Sequence, residues 1–400
     1  MRILLVALLF CAMVIPATAT AETPSHYYVD PAGGNDTTGD GTIGTPWKTI
    51  QKALNTIEKD STNGDQINIK AGVDDVLAAP LDLSEYGTPG IRQLAFCGYT
   101  STANDGGTGG INANGSTTFA AVSNYLRFEN MHIHNSGANT LLATGTRARL
   151  FNCELNNCTG AANSCLDVLN NSLVMGCYVH TFEGYGIRSN GSNGAEVDFI
   201  GNYVSDDSCV YGMWVHDRSN TLRNIIVVGS VTCGLSTGSG RILNNSILST
   251  TGTGKGLSAY NLSHVAGNLI VGFSSGTAVG SSPPVSSGTF ADNAFYNCGT
   301  ILSEGNIPIN EWGNEILESS PFAATGDLTF ANRFTYFSPV DVGNVRGGAW
   351  QAGAGIDKGA VQHAAAAGGG GGRSYIIGAS FSGDFKASLQ EMSSRSINNN

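Results

Sequence analysis

Between Leu126 and Cys298 the apolar residues fall into short runs of period two, each broken by Gly, Asn, Asp or Ser. None carries the stripe of an amphipathic helix, so the pattern predicts strands. The runs also recur. A small polar or thiol residue stands at Asn130, Cys153, Cys177, Asn202, Asn224, Asn245, Asn268 and Asn293, followed by an alternating pair such as Tyr178-Val179, Tyr203-Val204 or Leu269-Ile270. Successive anchors are 21 to 25 residues apart. A second element follows, as Gly186-Ile187, Gly212-Met213, Gly234-Leu235 and Gly256-Leu257, with Leu141, Leu166 and Val279 as looser members. Self-similarity at this period marks a solenoid.

The chemistry of one turn selects the kind. Leucine-rich repeats have similar lengths but need several fixed leucines, which are absent. Two or three short strands in each turn of about 23 residues fit a coil of parallel strands. An inward Asn at each anchor can stack on the Asn of the next turn and pair their amides along the axis. Asn202, Asn224, Asn245, Asn268 and Asn293 are expected to form that ladder, with Cys153 and Cys177 extending it as buried thiols. The expected fold is all-β, a single right-handed parallel β-helix with a short N-terminal capping helix, the hand following from the rule for parallel crossovers.

The flanks add organisation. Residues 1–21 read as an export signal: Arg2, an apolar run from Ile3 to Ile15, then small residues to Ala21. No later stretch reaches the length of a membrane span. Residues 22–72 form a cap and first strand, residues 73–363 the coil with a closing cap from about 299, residues 364–372 an Ala/Gly linker, and residues 373–400 a polar tail. In the cap, Thr45 is the expected N-cap, Pro46 the first helical residue, and Ile50, Ala53, Leu54 and Ile57 the buried stripe. Covering the open end of a coil requires such an element.

The stretch from Tyr28 to Gly72 holds Tyr-Val-Asp-Pro, Gly-Thr, Pro-Trp-Lys-Thr-Ile-Gln-Lys-Ala-Leu and Gly-Asp-x-Ile-x-Ile-x-Ala-Gly. It resembles the N-terminal cap of secreted pectate-lyase-like β-helix proteins. Asp357-Lys358-Gly359-Ala360 is similar to the closing strand of that superfamily. The resemblance implies a fold shared by lyases, hydrolases, epimerases, tailspikes and adhesins, and leaves function open.

Charge and cysteines narrow the partners. Asp and Glu number 31 against 20 Lys and Arg, a net charge of −11, which disfavours nucleic acid because counterion release needs clustered basic residues. A polyanionic sugar would need a local basic group or a bridging cation. Eight cysteines follow the signal; buried free thiols are expected, with one bridge allowed among Cys153, Cys158, Cys165 and Cys177. No CxxC pair marks a zinc site. His132 and His134 alternate on a strand and read as ladder or surface residues, and His180 is ambiguous.

Outward side chains on equivalent strands stack about 4.8 Å apart. One aligned row reads Leu142, Asp167, Arg188, Trp214, Ser236, Ser258. The row two residues on reads Thr144, Leu169, Asn190, His216, Gly238, Tyr260. The incoming loops supply Glu183, Tyr185, Tyr211, Asp206 and Asp207. Asp167, Asn190, Trp214, Glu183, Tyr185 and Tyr211 are candidates for binding an extended polysaccharide by stacking and hydrogen bonding. For β-elimination at a uronic acid, Arg188 would neutralise the sugar carboxylate and His216 or Tyr260 would take the α proton. Asp206, Asp207 and Asp217 would hold Ca²⁺. The plainer reading of Asp167 and Arg188 is a surface salt bridge. Trp214-Val215-His216-Asp217 is similar to the Trp-Ile-Asp-His of pectate lyases with its last two residues reversed. Asp206-Asp207 resembles the paired aspartates of polygalacturonases, but their companion motifs are missing. Two functions follow: an exported polysaccharide-binding or polysaccharide-cleaving β-helix, or a non-catalytic adhesive rod attached through residues 373–400.

Overall fold

The computed structural model describes residues 25–57, 64–83, 94–190, 196–216, 218–238, 240–259, 264–280, 289–302 and 310–317. The expected signal, linker, tail and most of the closing cap lie outside them. The described chain winds as a parallel coil with three faces. Face A is a sheet of twelve strands, running from Ser25–Val29 and Asp65–Lys70 through Leu173–Met175 and Asp198–Ile200 to Asn310–Trp312. Face B includes Met131–Gly137, Glu154–Cys158, Tyr178–Phe182 and Ser246–Ser249, and face C includes Ser164–Val168, Tyr185–Ser189 and Lys255–Ala259. Two long strands, Tyr203–Val215 and Ile225–Thr237, pass from B to C without a break and join them into one seventeen-stranded set.

Period two sends alternate residues inward, and the parallel register stacks them in columns. Val174, Phe199 and Thr221 align on face A, Val179, Val204 and Ile226 on face B, and Ile187, Met213 and Leu235 on face C. All nine are buried. No described helix is long and apolar enough to cross a membrane.

The expected ladder is present at the corner entering face B. The Nδ2 of Asn202, Asn224, Asn245 and Asn268 each donates to the Oδ1 of the next Asn at 2.9–3.0 Å. Each Oδ1 also accepts the preceding anchor's backbone N–H, as from Asn224 to Asn245 at 2.9 Å, and each Nδ2 reaches a main-chain carbonyl, as from Asn245 to Thr221 at 2.9 Å. Each of these four ladder amides is thereby satisfied within the coil. Asn314 continues the row, accepting from Asn293 at 3.0 Å, past the point where the sequence pattern fades.

One anchor is corrected. Asn130 lies one residue before the row, at φ 53°, in line with Asn152, Gly176, Gly201 and Arg223, all in the left-handed region. Met131 is the true anchor of that turn. Gly and Asn tolerate the left-handed corner, which is why they recur just before the ladder.

The Gly of the second repeat element has a different cause. A Cβ on Gly234 would lie 2.7 Å from Ile247 Cγ2 and 2.9 Å from Gly256 O; on Gly212 it would lie 2.7 Å from Gly234 O. The coil is too narrow there for a side chain. Gly234→Val is therefore expected to destabilise by about 1–3 kcal/mol through overpacking, read as a lower denaturant midpoint; an unchanged midpoint would contradict it.

At the N-terminal end the helix spans Ile50–Thr56 and buries Ile50, Ala53 and Leu54 against the first strands of face A. Its N-cap is Thr49, whose side chain accepts from Lys52 N–H at 3.2 Å, not Thr45. Asp36 fixes the entry by accepting from the N–H of Lys48 and Thr49, so the turn begins after Pro46 rather than at it. All eight described cysteines are free, so the bridge allowed among Cys153, Cys158, Cys165 and Cys177 is not formed. Burial pushes the thiols of Cys97, Cys209 and Cys233 up to about 12, which makes them inert packing groups.

Candidate functional site

Face C carries the aligned row. Asp167 pairs with Arg188, Arg188 with Trp214, Trp214 with Ser236 and Ser236 with Ser258. The first member is corrected: Asp167 stands opposite Ala143, while Leu142 pairs with Leu166 and is buried. Tyr185 and Tyr211 are not loop residues but begin the face C segments and pair with each other. Gly186 and Ile187 both turn inward, which breaks strict alternation and leaves Tyr185 and Arg188 outward together.

The outward groups touch. Tyr185 and Tyr211 stack with ring centroids 5.3 Å apart and planes 2° from parallel. Trp214 lies 5.7 Å from Tyr185, and His216 meets Trp214 edge-on at 5.7 Å. The Arg188 guanidinium sits over the Tyr185 ring at 5.4 Å, within cation–π range. Arg188 donates from Nε, at 3.1 Å, and from Nη2 to the same oxygen of Asp167, Oδ2. This pair is more enclosed than a surface salt bridge, with side-chain exposures of 21% and 12%. Burial pushes the Asp167 carboxyl above its ordinary range, and Arg188 pulls it partly back.

The structure thus brings together Asp167, Arg188, Tyr185, Tyr211, Trp214 and His216. Asn190 and Glu183 are exposed at its margin. Tyr260 and Asp217 lie outside the described residues. Asp206 accepts the N–H of Phe182 through Oδ2 at 2.7 Å and that of Ser208 through Oδ1 at 2.8 Å. Both its oxygens are engaged in holding the B–C corner, and Asp207 beside it is exposed. Among the described residues no third carboxylate or imidazole joins them.

Face B carries a second cluster that the sequence pattern did not single out. His132 and His134 stack at 4.4 Å with planes 3° apart, and His134 Nε2 is 2.9 Å from Asp74 Oδ2. In the following coils Glu154 pairs with His132 and Tyr178, and Asn156 with His134 and His180. The Asn156 amide lies 3.1 Å from His132 Nε2 and 3.2 Å from His180 Nε2, and His180 Nε2 is 3.0 Å from Glu154 Oε1. Burial holds the His132 imidazole below its ordinary pKa, against the pull of Glu154. Alternation of His132 and His134 was the available signal. Asp74 was hidden because it comes from the irregular stretch before the repeat.

No family model matches the chain, and no curated protein matches it in sequence. Solved structures do match it, three of them as follows. Pectate lyase Pel9A superposes with a TM-score of 0.59 at 14% identity, over 86% of this chain and 97% of that one. A rhamnogalacturonan lyase gives 0.37 at 13% identity, over 75% and 91%. The GH136 lacto-N-biosidase from Eubacterium ramulus gives 0.43 at 14%, over 73% and 68%. The first of these likenesses agrees with the coil described above and speaks to architecture alone. In fold, the chain is a parallel β-helix similar to that of pectate lyase Pel9A.

Proposed function

We propose that the protein binds an extracellular polysaccharide along face C. The observation that supports this is the contiguous outward strip of Tyr185, Tyr211 and Trp214 around Arg188. Tyr185 and Tyr211 stack on each other, so Trp214 is the ring assigned to stacking against a sugar, and Arg188 supplies a polar contact beside it. Arg188 commits Nε and Nη2 to Asp167, so Nη1 is the donor assigned to a ligand in this reading. The finer reading is β-elimination: Arg188 binds the uronic carboxylate, His216 takes the α proton, and the electron pair left behind forms the C4–C5 double bond as the glycosidic C4–O bond breaks, the departing oxygen taking a proton from water.

Calorimetric titration of the purified chain with polygalacturonate, xylan and arabinan tests binding, and ultraviolet absorbance of unsaturated ends tests cleavage. Trp214→Ala is expected to weaken binding roughly tenfold, equivalent to about 1.4 kcal/mol. His216→Ala is expected to abolish any unsaturated product while leaving binding largely intact. Absence of binding to all three polymers would reject the reading. It would favour a non-catalytic rod, for which the structural engagement of Arg188 and Asp206 speaks; deleting residues 373–400 would then abolish surface attachment.

A further inference from the structure

We propose that Asp74, His132 and His134 form a three-ligand site on face B for a divalent first-row transition metal such as zinc. The three side chains present ligand atoms that all lie within 4.8 Å of one another. Two atoms bound to one zinc at about 2.1 Å lie no more than about 4.2 Å apart, so small side-chain rotations close the set. His132 and His134 are held for this by their strand: two residues apart, they share one face. Two imidazoles with one carboxylate suit borderline ions such as zinc, whereas Ca²⁺ and Mg²⁺ take oxygen ligands.

A second observation points to the same place. Gly110 stands opposite His132 on the preceding strand. A Cβ there would fall 1.7 Å from Asp74 Oδ1 and 2.7 Å from its Cγ. Gly110 is not among the residues at positive φ, so its backbone does not call for glycine. Its missing side chain is the space in which the Asp74 carboxylate reaches the imidazoles. On the other side, Asn156 contacts His132, and the Glu154–His180 pair continues the polar row. Asp74 is about one-third exposed and His134 about one-fifth. The fourth position therefore faces solvent, as in sites that keep a water or substrate on the metal rather than in closed structural ones.

The test uses the full chain without a histidine tag, stripped with EDTA. Zinc binding is read by calorimetry and cobalt binding by its visible d–d absorption. The expected result is one equivalent of metal and a cobalt spectrum that shifts when azide is added to the open position. His132→Ala and His134→Ala are each expected to weaken zinc binding at least roughly 100-fold, and Gly110→Ala roughly tenfold by displacing Asp74. His264→Ala, on face A, is expected to leave it unchanged. Binding retained in the His132→Ala/His134→Ala double variant would overturn the proposal. So would a wild-type chain with neither heat nor a cobalt band, an outcome that does not depend on any variant folding.

Discussion

Asn245→Ala is expected to destabilise the coil by about 4 kcal/mol, the largest effect of any single substitution considered. The change leaves Asn224 without the oxygen that accepts both its backbone N–H and its Nδ2. It also removes the donor to Thr221 O and one of two donors to Asn268 Oδ1. Two orphaned buried donors at about 1–3 kcal/mol each, with two weakened acceptors, give that magnitude. A coil whose turns contact only their neighbours can open locally, so a global midpoint is read together with hydrogen exchange. The expected result is a lower urea midpoint and faster exchange at the Asn224 amide. Unchanged protection there, with less than about 1 kcal/mol lost, would mean that the ladder is ornamental.

Arg188→Met should cost about 3 kcal/mol at pH 7, because it leaves the Asp167 carboxylate enclosed without its partner. The effect carries a pH signature. Asp167 is already raised above its ordinary value of 3.8 by burial, despite Arg188. A carboxyl with a raised folded pKa holds its proton more tightly when folded. Its favourable contribution is complete below about pH 3.8 and is lost as pH climbs through the raised value. Removing Arg188 widens that window, so the variant is expected to approach wild type in denaturant midpoint at pH 4 and fall well below it at pH 7. Adding Asp167→Leu should recover most of the loss. An equal deficit at both pH values would show that packing of the Arg188 stem on Tyr185, rather than charge, holds this part of face C together.

These two cases show what was legible in the chain. The ladder and the Asp167–Arg188–Trp214 alignment were readable because turns of 21 to 25 residues put one residue type at one place again and again. Phase was harder. Asn130 looks like an anchor but occupies the left-handed corner, and Leu142 looks outward but faces the core, each off by one residue. A one-residue slip exchanges inside for outside in a strand, and loops of variable length hide it. The depth of Asp167 was also hidden, since enclosure depends on neighbouring coils. Asp74 was beyond reach because its partners lie some sixty residues away, across turns with no repeat to count by. The N-cap moved from Thr45 to Thr49 because Asp36, in the preceding loop, decides where the helix begins.

The amides of the ladder all face the same way. From Asn202 to Asn293 each nitrogen donates toward the C-terminal end, to an oxygen of Asn224 through Asn314 that faces the N-terminal end. Their dipoles therefore add head to tail, and each bond polarises the next. The row behaves as a directed chain rather than as a set of independent links. Severing it at the middle silences cooperation on both flanks, whereas trimming a terminal member silences one, so identical residues in identical bonds need not contribute equally along the rod.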